Sequence, residues 1–271
     1  MIAFTQFIVS QFVVQHYSVN ILALLILSTT SIALGGYLLN DIADIEIDKA
    51  NNKTGVINSS NKKVYLFVAI SLLILGNTIG FIVCKESLVK LFGIYVSASI
   101  SLIFYAWFLS KYKIVGNVLI SGLTALVILL CFYVEVNHYF YTEKYYFFKE
   151  IFIWFYAAIA FIINWLREVV KDIEDESGDA IANRISWVRI IGIKGTKAIL
   201  ITVSMAVFIS LIFFGADRPM GIIHADLAII FLLFLAFIFI ILSAKTTKSY
   251  KTASLLLKYI MIAGILIPVL F

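Results

Sequence analysis

The sequence predicts an all-α, polytopic membrane bundle, and three observations carry that prediction. Apolar residues make up 62% of the chain against 14% charged, with a mean hydropathy of +1.04, a balance that excludes ordinary soluble domains. Nine apolar runs, each close to the roughly 20 residues a helix needs to span the hydrocarbon core, fill most of the 271 residues. The lysines and arginines between those runs are sorted by side, as membrane topology requires.

The runs fall near 2–18, 20–39, 64–84, 88–108, 114–134, 147–166, 198–215, 225–243 and 254–271. Gln6, Gln11 and Gln15 interrupt the first, which is expected to tilt or lie shallow. No charged n-region precedes it and no small-residue cleavage site follows, so it does not read as a cleaved signal peptide. The second run ends near Gly35-Gly36, a pair that allows close helix contact. A polar loop from Lys49 to Lys63 leads to the third, and a basic turn, Ser110-Lys111-Tyr112-Lys113, separates the fourth from the fifth. Tyr139, Tyr141, Tyr145 and Tyr146 give the next connection the character of an interfacial aromatic belt. The stretch 167–197 reads as the longest inner loop, and three further runs complete a single transmembrane domain over 1–271.

With the N-terminus placed in the cytoplasm, inner loops and helix ends hold sixteen basic residues. The outer ones hold five: Lys85, Lys90, Lys144, Lys149 and Arg218. That positive-inside bias orients the chain in the cell's inner membrane, and the net charge of +5 matches anionic lipid headgroups rather than nucleic acid. Cys84 and Cys131 lack metal-type spacing and read as small apolar fillers. His16, His138 and His224 fall in predicted outer connections, where polar loop histidines are ordinarily solvated.

Two acidic rows stand out. Asp41, Asp44 and Asp48 recur at intervals of three and four, which places them on one helix face; Asp172, Asp175 and Asp179 repeat those intervals. Each row opens where an apolar run with an asparagine at its end (Asn40 or Asn164) runs out. The four-run offset puts both on the cytoplasmic side, where a pseudo-twofold axis along the membrane normal would bring them face to face. One acidic cluster at a membrane boundary is ordinarily a solvated helix end. Two with the same spacing on the same side argue for a site, because carboxylates in lipid are costly and call for water or a cation. Magnesium suits oxygen ligands and is usually shared between one or two carboxylates and substrate phosphates. The rows therefore suit a diphosphate–Mg²⁺ cluster, with Lys111, Lys113, Arg167 and Lys171 as candidates for the phosphate oxygens and the apolar bundle beneath for a hydrocarbon tail.

At these residues the chain resembles the UbiA family of intramembrane prenyltransferases. Asn40-Asp41-x-x-Asp44-x-x-x-Asp48 is similar to that family's first Asp-rich motif, and Asp172-x-x-Asp175-x-x-x-Asp179 to its second. The run from Arg167 to Asp175, closing with Gly178-Asp179, resembles the geranylgeranylglycerol-phosphate geranylgeranyltransferase subgroup, as do Tyr105 and the pair Gly116-Asn117. The resemblance implies about nine helices around a central cavity and Mg²⁺-dependent transfer of a prenyl chain, geranylgeranyl in the subgroup, from its diphosphate to a lipid-soluble acceptor. It further implies that the six aspartates hold Mg²⁺ and diphosphate, that Asn40 supports the first cluster, and that Tyr105 and Asn117 belong to the substrate site. The subgroup's acceptor is a prenylglycerol phosphate, and the product an ether lipid.

The chain departs from the family pattern at several points. Met1 is followed at once by apolar residues where a basic segment is usual. Asn51-Asn52-Lys53-Thr54-Gly55 replaces an Asn-Arg-Pro or Asn-Lys-Pro run, Ser110 stands where a lysine often follows the tyrosine, and Ser186-Trp187-Val188 replaces a Thr-Leu-Pro element. These leave the aspartates intact and bear on acceptor and rate. Other readings are an aromatic quinone precursor as acceptor, a cation transporter using the acidic rows, and a non-catalytic lipid-binding relative. A CDP-alcohol phosphotransferase would need an Asp-Gly-x-x-Ala-Arg element that the sequence lacks.

Overall fold

The computed structural model describes residues 1–14, 18–50, 56–84, 89–136, 143–216 and 222–270. In chain order the elements are α1 (Ile2–Ile8) with a π-helical turn (Val9–Val14), α2 (Val19–Ala50), α3 (Lys62–Cys84), α4 (Val89–Trp107) and a 3-10 turn (Leu109–Lys111). There follow α5 (Lys113–Val136), α6 (Glu143–Glu174), the short α7 (Glu176–Ile181), α8 (Trp187–Ala216), α9 (Ile222–Ser243), and α10 (Thr247–Leu266) with a terminal 3-10 turn (Ile267–Leu270). Among the described residues there is no strand, only one backbone bridge between Tyr112 and Ile185. By length and hydropathy α2, α3, α5, α6, α8 and α10 can each cross a membrane, while α1 with its π turn, α4 and α9 form shorter apolar helices.

The outside of the bundle is apolar. Phe67, Phe81, Phe213 and Phe239 are 72%, 64%, 75% and 71% exposed, a surface that only lipid would favour. Inside, where the hydrocarbon offers no water, several polar side chains find partners between helices. Ser28 Oγ donates to the Gly76 carbonyl (2.6 Å), and Asn77 Nδ2 donates to Ser99 Oγ (2.7 Å). Gly35 and Gly36 do bring helices close: a Cβ on Gly35 would lie 2.9 Å from Leu73 Cγ, and one on Gly36 2.8 Å from Leu102 Cδ1. Gln6, one of the three glutamines behind the expectation of a tilted or shallow first segment, is fully buried, its Oε1 accepting from Thr29 Oγ1 (2.9 Å) and tying α1 to α2. Cys84 and Cys131 are buried and free.

Helices α2 and α6 position the acidic rows. Both are 32 residues long and outrun their apolar spans, because buried side chains continue the helical period beyond. Ile42 and Ile45 do this on α2, and Val169, Val170 and Ile173 on α6. The expected inner loop over 167–197 is therefore largely helical. The second acidic row is also corrected: its three aspartates do not share one continuous helix. The chain breaks at Asp175 (φ −97°, ψ 7°) before α7, within Glu174-Asp175-Glu176, where negative charge at a helix C-terminus opposes the macrodipole. Gly192, at φ 70°, kinks α8 in a conformation that favours glycine. His16, His138, Tyr139, Tyr141, Lys85, Arg218 and the run Asn51 to Gly55 lie outside the described residues.

Candidate active site

The acidic rows meet, and they meet through cations. Asp44, half-buried on α2, pairs with Arg184 Nη2; Arg184 Nη1 also reaches Asp179 Oδ1 at 3.5 Å, so one guanidinium bridges both rows. Lys113 Nζ sits 3.4 Å from Asp172 Oδ1 and 3.4 Å from Asp179 Oδ2. Asn117 Nδ2 donates to the other Asp172 oxygen at 2.7 Å. Asp172 and Asp179 are 1% and 0% exposed, so this network is shielded from solvent and its interactions are strong. Burial pushes the Asp179 carboxyl above the usual range, with Lys113 and Arg184 pulling the other way. For Arg184 burial works against the charge, and Asp44 and Asp179 outweigh it to raise its pKa.

Local backbone geometry puts these cations in place. Ile185 N donates to the Lys111 carbonyl (2.8 Å) and Lys113 N to the Ile185 carbonyl (2.9 Å), clipping the turn before α5 to the chain after α7. Arg184 N caps back onto the Asp179 carbonyl (2.9 Å), and Arg189 Nη1 donates to the Arg184 carbonyl (2.8 Å). Lys111 contributes its carbonyl while its side chain is exposed. Asn40 Nδ2 donates to Asp44 Oδ2 at 3.2 Å. Asp48 and Asp175 are half-buried. Tyr105 packs its ring on Gly116, where an added Cβ would lie 2.6 Å from Tyr105 Cε2. Gly116→Val is accordingly expected to destabilise the protein by about 1–3 kcal/mol, read as a lowered melting temperature in detergent, with Tyr105→Ala in the same chain restoring part of it.

Beside the network lies a cavity of about 530 Å³, within the ~300–1,000 Å³ typical of ligand sites. Its mouth carries Asn40, Asp41, Arg167, Glu168 and Lys171, and its body is walled mainly by aliphatic and aromatic side chains of α1, α2, α4, α5, α6 and α10, with Tyr105 among them. Glu168 holds the two mouth cations: Arg167 Nη1 at 2.9 Å and Lys171 Nζ at 3.1 Å. Asp41 is exposed at this mouth and makes no hydrogen bond or ion pair among the described residues.

Whether these residues suit Mg²⁺ turns on donor chemistry. Among the described residues no three Asp, Glu, His or Cys side chains form a ready metal cage. The motif donors are all hard oxygens, and Lys113 and Arg184 each bridge two of the motif carboxylates. That set fits an ion completed by substrate oxygens, the usual arrangement for Mg²⁺. Arg184 and Glu168 were not among the sequence's site candidates. Arg184 follows Asp179 by five residues, yet nothing in that spacing shows that it folds back onto Asp44.

The same architecture appears in known proteins. The model of the UbiA prenyltransferase family matches residues 4–265. The chain is 32% identical over 244 residues, 86% of its length and 77% of the relative's, to the digeranylgeranylglyceryl phosphate synthase of Saccharolobus solfataricus. It is 30% identical over 254 residues (89% and 83%) to the protein of that name in Methanococcus maripaludis. A solved structure concerning digeranylgeranylglyceryl phosphate synthase in membranes superposes with a TM-score of 0.70 at 23% identity, over 98% of this chain and 90% of that one. An apo UbiA homologue from Aeropyrum pernix K1 gives 0.68 at 12% identity, over 96% and 94%; both show the shared fold. A multi-pass helical bundle, paired acidic motifs beside an apolar cavity, and a family match along nearly the whole chain lead to one conclusion: this protein belongs to the UbiA prenyltransferase family.

Proposed function

We propose that this prenyltransferase carries out Mg²⁺-dependent transfer of a geranylgeranyl group from its diphosphate to geranylgeranylglycerol phosphate, a step of ether-lipid synthesis. The reading treats 1–271 as one domain in the cell's inner membrane, with the N-terminus and both acidic motifs cytoplasmic. The observation that carries it is a single cavity with a charged mouth and an apolar body, a match for an amphipathic donor with a diphosphate head and hydrocarbon tail. The synthase relatives support the choice of acceptor.

In this reading Asp41, Asp44 and Asp48, with Asp172, Asp175 and Asp179, hold Mg²⁺, which when bound neutralises charge on the departing diphosphate. Arg167 and Lys171, steered by Glu168, bind diphosphate oxygens, and Asn40 steadies Asp44. Lys113, Asn117 and Arg184 fix the second motif before substrate arrives, so little reorganisation accompanies charge separation. The bond between the allylic carbon and the diphosphate oxygen breaks with its electron pair leaving on diphosphate. The acceptor hydroxyl oxygen forms the new ether bond, and its proton passes to the diphosphate product. The apolar walls exclude water that would otherwise capture the allylic cation.

The test is direct: the purified protein in detergent receives labelled geranylgeranyl diphosphate and either geranylgeranylglycerol phosphate or an aromatic quinone precursor, with Mg²⁺ or EDTA. Product with the glycerol phosphate, lost in EDTA, is the expected result. Product with the aromatic acceptor alone overturns the acceptor; ion flux in liposomes without transfer overturns the function.

A further inference from the structure

Lys258 has no role in the chemistry above, and its position is unusual. It lies eleven residues into α10 (Thr247–Leu266), about 16 Å along the helix and about 10 Å beyond Lys251 at 1.5 Å per residue, with its side chain exposed. No charged residue follows it in the chain. The other lysines of α10, Lys248 and Lys251, sit in its first two turns, where positive charge meets headgroups. Among the described residues no carboxylate pairs with Lys258, and it lines the same cavity whose mouth holds Asp41, Arg167 and Lys171. An ionisable group inside a membrane span is costly to maintain and marks a ligand contact. A cavity meant only for a hydrocarbon tail has no use for one.

We infer that Lys258 recognises the phosphate of the lipid acceptor and so selects a phosphate-monoester acceptor over a neutral one. The inference rests on the proposed function. The donor's diphosphate has the cations and carboxylates of the mouth, separate from Lys258 in sequence and carried by α2 and α6. The remaining anion that enters this cavity is the acceptor's own phosphate. Lys258 thus acts as a specificity determinant on the cavity wall, pairing by a charge-assisted hydrogen bond.

The experiment compares wild type, Lys258→Met and Lys258→Arg as full-length protein in nanodiscs. Each receives geranylgeranyl diphosphate with geranylgeranylglycerol phosphate or the dephosphorylated geranylgeranylglycerol. In Lys258→Met the KM for the phosphorylated acceptor is expected to rise about ten- to a hundredfold, with the donor KM unchanged and the preference for the phosphorylated acceptor reduced toward unity. Lys258→Arg retains the preference. Gel filtration and melting temperature confirm that the variants fold, and binding of the phosphorylated acceptor without donor gives a readout independent of turnover. A Lys258→Met protein with wild-type acceptor KM and selectivity overturns the inference alone. A wild-type protein that uses no phosphorylated acceptor overturns the proposed function and this inference together. If anionic bulk lipid in the nanodisc competes away the Lys258 effect, the residue reads membrane headgroups, and the acceptor assignment is overturned.

Discussion

Replacing Asp41 with alanine is expected to lower kcat/KM for prenyl transfer by about 10²–10³-fold while leaving the melting temperature close to that of wild type. The separation of the two effects follows from where Asp41 sits. It is exposed at the cavity mouth and forms no hydrogen bond or ion pair among the described residues, while Asp44 and Asp48 stand along the same face of α2. Removing one of three like charges from a helix face relieves repulsion, and alanine is a better helix former than aspartate. The same change at Asp172 has the opposite character. That carboxylate is 1% exposed, accepts from Asn117, and pairs with Lys113, so Asp172→Ala is expected to lower stability and activity together. Steady-state kinetics over a Mg²⁺ series, alongside thermal melts, check both. An Asp41→Ala enzyme with full activity and an unchanged Mg²⁺ requirement would remove the first motif from the reaction.

The contrast between these two aspartates marks what the chain's local pattern could and could not convey. Apolar run lengths place the helices because the bilayer imposes a length on every span, and α3, α4 and α5 begin and end within two residues of the apolar runs. The ends of α2 and α6 were not readable that way. Past Leu39 and Leu166 the apolar residues thin to a buried stripe, Ile42 and Ile45 or Val169, Val170 and Ile173, which a search for continuous hydrophobicity passes over. Intervals of three and four identify residues that share a helix face, and for Asp41, Asp44 and Asp48 that geometry holds on α2. They say nothing of what crosses from elsewhere. Arg184 lies 140 residues from Asp44 and Lys113 66 from Asp179, so no local period encodes either pair. Gln6 shows the same limit in reverse: its polarity suggested a tilted or shallow helix, and nothing local showed that Thr29 on the next helix would pair with it in the interior.

The second large effect is expected at Lys113. Its ammonium stands between Asp172 and Asp179, 3.4 Å from each, with side chains only 2% and 0% exposed on the acidic side and 13% on its own. Taking one partner out of a buried ion cluster leaves charge uncompensated, a loss of about 3–5 kcal/mol. Lys113→Met keeps the length and apolar stem of the side chain and removes only the charge, so a large drop in melting temperature would report the electrostatics rather than a packing defect. Lys113→Met combined with Asp179→Asn should recover part of the loss, because the double change removes a carboxylate along with its cation; a double-mutant cycle measures that coupling. The recovery should not extend to activity, since the second motif would then lack both a carboxylate and the cation that holds it in register with Arg184. One further consequence separates this account from a simple loss of packing. Without the ammonium, two hard-oxygen groups face a vacated position, which is the environment a divalent cation prefers. Added Mg²⁺ should therefore raise the melting temperature of Lys113→Met more than that of wild type, and equal shifts in the two proteins would show that Lys113 and the metal do not compete for the same carboxylates.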